Sequence, residues 1–212
     1  VDAESTAAEF SQFQDNPTQG SAFLVATIPQ GKHYDYDVDA LMWAGFVDAS
    51  WQHNRWQVNL GGRFEFIEYD YKNKMRSGRT TETGEVCGFG GCRYSRPESS
   101  INRYDNFSPS VSVVYDLNDN LELYSNISKG YRAPQGAELF QLQREQTIAD
   151  LEPEEVVSVE LGMKGFYQQG RYLVSVYDMK KQNTIYRDSD FFTISNGQTS
   201  HRGIELELAW QV

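Results

Sequence analysis

The sequence predicts an all-β protein: a segment of antiparallel transmembrane β-barrel with long extracellular loops and short periplasmic turns. Three observations predict it. Apolar residues recur at every second position through most of the chain, the period of a strand whose two faces meet different surroundings. The connections between these stretches alternate long and short as far as Gly170. The stretch from Trp56 to Tyr71 also outruns the roughly 9–11 residues that carry a tilted strand across a bilayer.

The elements follow in order. A partial strand precedes Gln12, and a long connection over 12–36 separates it from the first full strand. The segment of 37–51 is mixed, with Leu41, Trp43, Val47 and Trp51 able to share a side. A short turn, His53-Asn54-Arg55, leads into WQVNLGGRFEF. There Trp56, Val58, Leu60, Phe64 and Phe66 oppose Gln57, Asn59, Arg63 and Glu65. The connection over 72–105 is long. In FSPSVSVVY, Phe107, Pro109, Val111, Val113 and Tyr115 oppose Ser108, Ser110 and Ser112.

The short DLND of 116–119 precedes LELYSNIS, which stops at Arg132-Ala133-Pro134. Proline fixes φ and removes a ladder donor, so pairing ends there. A polar stretch runs from 131 to 153. EEVVSVELGMKG then sets Val157, Val159, Leu161 and Met163 against Ser158, Glu160, Gly162 and Lys164. The turn of 168–170 is short. The region of 171–186 alternates less cleanly and its faces are not assigned. A short hairpin near Arg187 to Asp190 breaks the long–short rule. In RGIELELAWQV, Ile204, Leu206, Leu208 and Trp210 oppose Glu205, Glu207 and Gln211. This makes seven strands plus the partial one.

A soluble sandwich gives its two ends no reason to differ so consistently, whereas an outer-membrane barrel does. Trp51, Trp56, Tyr69, Tyr71, Tyr115 and Trp210 near the strand ends suit an interfacial girdle, although Tyr and Trp are also simply good strand formers. No apolar run reaches the roughly 20 residues of a spanning helix. The chain opens without a charged region followed by an apolar one, and it ends at AWQV without a cap. Two bare sheet edges invite aggregation, so the expectation is a sheet that closes on itself or a piece of something larger.

Composition narrows function. Of 212 residues, 14% are aromatic and 39% hydrophobic, which is rich in strand formers yet polar for a packed core. The net charge of -11 argues against nucleic acid, whose partners need a basic face. Cys87 and Cys92, in CGFGGC, are close enough to close a disulfide; half a metal site or two free thiols remain alternatives. His33, His53 and His201 stand alone, without a second ligand at useful spacing. No nucleophile elbow or phosphate loop is present, so nothing supports an enzyme, and no cofactor is expected.

The run LYSNISKGYRAPQGAELF, then LEPEEVVSVELGMKG, then NGQTSHRGIELELAW, resembles the C-terminal half of a TonB-dependent outer-membrane receptor. HYDYDVDA, GGRFEFIEYDYKN and the cysteine-bearing loop ending in RYSRPES fit the same barrel. The likeness spans nearly all of the chain; each motif is loose, and their ordered series is specific. It implies a barrel of about 22 strands with a plugged lumen, of which residues 1–212 are a partial barrel domain of about 7–8 strands. It also implies that the plug domain, TonB box, signal peptide and C-terminal strand lie outside this chain. Such receptors sit in the outer membrane of a Gram-negative bacterium, among its lipid. They take up a scarce ligand, most often a ferric siderophore, with energy passed through TonB. Cobalamin, haem and oligosaccharide receptors share the pattern. A complete small outer-membrane barrel with a structural or adhesive role, and a soluble ligand-holding β-protein, are the competing readings.

On this reading, the loop of 72–105 is the one locally basic, aromatic-bearing surface of an acidic chain. Tyr71, Arg76, Arg93, Tyr94 and Arg96 are its candidates for touching an anionic ferric complex, beside Lys72, Lys74 and Arg79; an ordinary solvated loop is the alternative. Arg132, at the top of its strand, suits an anionic ligand or a plug loop, or more simply an ion pair with Glu138.

Overall fold

Strands come first because the alternating stretches can satisfy their backbone groups only through neighbours. In the computed structural model, residues 2–6, 32–87, 92, 94–143, 146 and 149–210 are described, with backbone alone at 2–6 and 94. Eight strands form one antiparallel sheet in chain order. They are β1 (Asp2–Thr6), β2 (Lys32–His53), β3 (Trp56–Asn73), β5 (Ser100–Asn118), β6 (Leu121–Arg132), β8 (Glu154–Tyr167), β9 (Gly170–Arg187) and β10 (Thr193–Trp210). Two short strands, β4 (Tyr94–Ser95) and β7 (Leu142–Gln143), pair with each other outside it. A single helical turn, α1 (Gly136–Phe140), lies between β6 and β7. The seven full strands and the partial first one are those the alternation marks out. Among the described residues the edge strands β1 and β10 do not meet, so the sheet is not closed.

The register shows two faces of opposite chemistry. Directly paired residues project to the same side of an antiparallel sheet. One row runs Trp51, Val58, Val113, Ser125, Leu161, Val176, Ile204 across seven strands. The adjacent row, on the other face, runs Ser50, Asn59, Ser112, Asn126, Glu160, Tyr177, Gly203. The apolar face is not buried by protein: Leu161 is 54% and Ile204 77% exposed. An apolar surface this broad in water is a liability, and in a bilayer it is the solvated side. The register also settles 171–186, where Tyr172, Val174 and Val176 join the apolar face. It places Leu41, Trp43, Val47 and Trp51 together there too.

Three two-residue turns lie at one end, closed by His53 and Trp56, by Asn118 and Leu121, and by Tyr167 and Gly170. Asn54 and Gln168 adopt left-handed φ values of 52° and 53° in two of them. Asn118 Oδ1 accepts the Asn120 amide at 2.9 Å in the third. The connections over 74–99, 133–153 and 188–192 share the opposite end. With β2 at 22 residues and about 3.3 Å per residue, that end stands well clear of the apolar band.

Close strand packing relies on aromatic rings lying over glycines. Tyr124 crosses Gly162, where a Cβ would meet the ring at 2.5 Å. Tyr177 crosses Gly203 in the same way, at 2.6 Å. Gly162→Val in the full-length protein is therefore expected to displace Tyr124 and cost about 1–3 kcal/mol of stability. Thermal unfolding checks this, and pairing the change with Tyr124→Ala is expected to restore part of the loss.

Candidate functional site

Among the described residues, the core cluster lies at the end that carries the long connections. Tyr36, Tyr71, Leu139, Phe140, Leu142, Ala149 and Leu151 form it. Tyr36 and Tyr71 belong to the polar, inward face of β2 and β3, and the rest come from the 133–151 connection. That connection therefore folds onto the inner wall rather than away from it.

Its course starts at Arg132. The guanidinium meets Glu138 edge on, at 3.0 and 3.1 Å, and gives its Nε–H to Glu154 at 2.6 Å. Glu138 also accepts the Gln135 amide at 2.7 Å, which fixes the start of α1. Glu154 stands at the end of β8 that carries the long connections, outside the apolar band, and is 4% exposed. It takes a further bond from the Ile185 amide at 2.9 Å and an ion pair from Lys181 at 3.0 Å. The Arg132 guanidinium holds the Glu154 carboxyl down to about 2, against the opposing effect of burial, with smaller help from Ile185 and Lys181. Entry to and exit from the connection are thus clamped by one network of four charges.

Beyond α1, the Phe140 ring stacks on Tyr71 with centroids 4.2 Å apart and planes 9° from parallel. Gln141 donates to the Tyr36 hydroxyl at 3.1 Å. Gln146 acts as a strand neighbour, exchanging two bonds of 2.8 Å with the backbone of Thr193. The second connection, 74–99, is pinned to the first by β4 and β7. Within it Gly78 and Arg96 exchange backbone bonds of 2.7 and 3.1 Å. Cys87 and Cys92 are joined in a disulfide with Cα atoms 5.6 Å apart. Arg79 brackets that bridge, accepting the Cys87 amide and donating to the Cys92 carbonyl, each at 3.0 Å.

The residues singled out in the sequence do not form one surface. Tyr71 is fully buried beneath Phe140. Arg96 is 1% exposed, its donors taken by backbone oxygens. Burial pushes its pKa down. Arg132 is engaged by Glu138 and Glu154. Arg76 is exposed and donates to the Gly84 carbonyl at 3.2 Å. Tyr94 lies in β4, paired through its backbone with Gln143. Arg93 lies outside the described residues. Lys72 and Lys74 are matched by Asp39, Asp70 and Asp37. The loop is basic in sequence, yet Lys72 and Lys74 are matched by carboxylates and the donors of Arg96 are spent on backbone oxygens.

Residues the sequence did not single out do much of the positioning: Tyr36, Phe140, Gln146, Glu154 and Lys181. HYDYDVDA offered a signal for Tyr36, since its tyrosines fall on alternate positions. Nothing local marks Gln146. Among the described residues, no three His, Cys, Asp or Glu side chains converge as a metal site. No helix is long and apolar enough to cross a membrane, which says nothing of a barrel.

Residues 2–212 match the family model described as TonB dependent receptor-like, beta-barrel. The chain belongs to the TonB-dependent receptor family. That family comprises receptors and transporters of the Gram-negative outer membrane. Over 119 residues this TonB-dependent receptor chain is 33% identical to a ferric-pyoverdine BN7/BN8 receptor of Pseudomonas putida, covering 54% of the chain and 14% of that protein. Among solved structures it is similar to the ferric yersiniabactin uptake receptor of Yersinia pestis. There the TM-score is 0.64 and the identity 16%, over 86% of this chain and 26% of the other. It is also similar to a copper transporter, with a TM-score of 0.62 and 19% identity over 83% and 27% of the two chains. These likenesses show the fold. The chain spans about a quarter of the length of those structures.

Proposed function

We propose that this chain is the wall and part of the extracellular mouth of an outer-membrane receptor that takes up a ferric siderophore. Energy comes through TonB, and the receptor's own plug domain fills the lumen. The observation that carries the reading is the inward fold of the 133–151 connection onto the inner wall, with the 74–99 connection pinned to it, which makes them the surface that an incoming solute meets. The likeness to a ferric-pyoverdine receptor supports an iron chelate as cargo. On this reading Arg76, with Arg93 and Tyr94 of the same connection, contacts the ligand. Tyr71, Arg96 and Arg132 hold the surface in place.

The test is growth of a receptor-deletion strain carrying the complete gene, on a panel of ferric chelates with cobalamin, haem and an oligosaccharide as controls. Rescue by one ferric chelate is expected. Rescue only by a control, or by none, overturns the reading. Arg76→Ala combined with Arg93→Ala is expected to weaken binding of the rescuing chelate at least about tenfold, the worth of one charge-assisted hydrogen bond. Equilibrium titration of the purified receptor measures it, and unchanged affinity removes these residues from the contact surface.

A further inference from the structure

Arg96 stands where three parts of the chain meet. Its Nε–H donates to the Arg76 carbonyl at 3.0 Å, Nη1 to the His33 carbonyl at 2.6 Å, and Nη2 to the Thr80 carbonyl at 2.6 Å and to Thr80 Oγ1. Its own backbone pairs with Gly78. One side chain therefore ties the beginning of β2 to the two ends of the first arm, 76–80, of the 76–87 hairpin. The neighbouring residue Ser95 pairs with Leu142, so the same anchor reaches the 133–151 connection.

A buried guanidinium normally has a carboxylate beside it, because a charge taken out of water is expensive. Among the described residues no carboxylate pairs with Arg96; carbonyl dipoles and one hydroxyl compensate it. Such an arrangement needs the planar fork. Lysine carries its three donors on one atom and cannot face oxygens spread around two edges of a plane. The retained cost is matched to what the fork secures, which is loop geometry. Arg76, the exposed cation of the hairpin, belongs to a residue whose carbonyl Arg96 holds.

We infer that Arg96 is a positioning residue: it fixes the Arg76 hairpin and, through Ser95 and Leu142, the 133–151 connection as one unit on the inner wall, and ligand capture depends on that unit. Its link to capture rests on the receptor reading above; its effect on the loops does not. Arg96→Lys and Arg96→Met are compared in the full-length receptor by amide hydrogen exchange and by titration with a ferric pyoverdine. Both variants are expected to lose protection over 76–87 and 142–143, with strands β5, β6, β8, β9 and β10 unchanged, and to lose affinity equally, by about tenfold or more. If Lys binds as wild type does while Met fails, Arg96 acts by its charge on the ligand and the inference is overturned. Unchanged exchange in both variants overturns it as well. If neither variant reaches the membrane, Thr80→Val removes one acceptor and is expected to loosen the same segments partially; no loosening there counts against the inference. If the wild type binds no ferric pyoverdine, that cargo fails while the exchange comparison still decides what Arg96 does.

Discussion

Glu154→Gln in the full-length receptor is expected to release the 133–153 connection from the inner wall while leaving the barrel folded. Glu154 is nearly inaccessible and receives three partners, Arg132, Lys181 and the Ile185 amide. Removing its charge leaves two partly exposed cations facing a neutral, buried amide. Breaking a fully buried pair by deleting one partner costs about 3–5 kcal/mol, and water around the two partly exposed cations lowers that here. Arg132 retains Glu138, so the loss falls at the low end. Limited proteolysis between Gln135 and Leu151 reads the release directly. Equal protection in wild type and variant at pH 7 contradicts the expectation.

The same carboxylate sets a pH dependence. Its pKa in the folded protein is depressed from 4.5 to about 2. A depressed acid contributes stability that is complete above its unfolded value and is lost as the pH falls through the folded one. Docking of the connection should therefore hold from neutral pH down to about 4.5 and weaken progressively towards pH 2. The Gln variant lacks this dependence, because it has no proton to take up there.

Leu161→Arg is the second large effect. Leu161 lies in the apolar row that crosses seven strands, between Ser125 and Val176, and faces away from the inner wall. A cation there meets lipid hydrocarbon, at a cost of about 2–4 kcal/mol near the bilayer midplane. The expected result is a sharp fall in folded receptor in the outer-membrane fraction, followed by heat-modifiable mobility on gels. Ser158→Arg, on the opposite face, is the control and is expected to assemble far better. Normal amounts of the Leu161 variant would remove the lipid-facing assignment.

The strands were legible because each residue's surroundings follow from its parity. Val157, Val159, Leu161 and Met163 alternate with Ser158, Glu160, Gly162 and Lys164 since lipid lies on one side and a polar interior on the other. A sheet of period two writes that contrast directly into the chain. The segment of 171–186 was harder. Tyr177 and Met179 place bulky groups on the inner face, Tyr177 lying over Gly203, and so blur the alternation.

The connections obey no such local rule. Tyr71 reads as an interfacial tyrosine, yet it is covered by Phe140, some seventy residues later in the chain. Arg96 reads as part of a basic patch, yet its neighbours are carbonyls from His33, Arg76 and Thr80. Lys72 and Lys74 read as free charge and are matched by carboxylates of β2 and β3. Arg132 is the instructive exception. Its pairing with Glu138 spans six residues and was visible as an alternative, whereas the stronger partner, Glu154, enters only when β8 pairs with β6.

By itself, then, the sequence determined that the chain forms alternating strands, which side of most of them meets lipid, and which end carries the long connections. Local periodicity and turn chemistry suffice for that. Only the tertiary structure decided that the 133–151 connection turns inward and that Tyr71 and Arg96 serve the protein's own packing. Burial in a loop is set by partners brought from distant parts of the chain, and no pattern of neighbours in sequence encodes it.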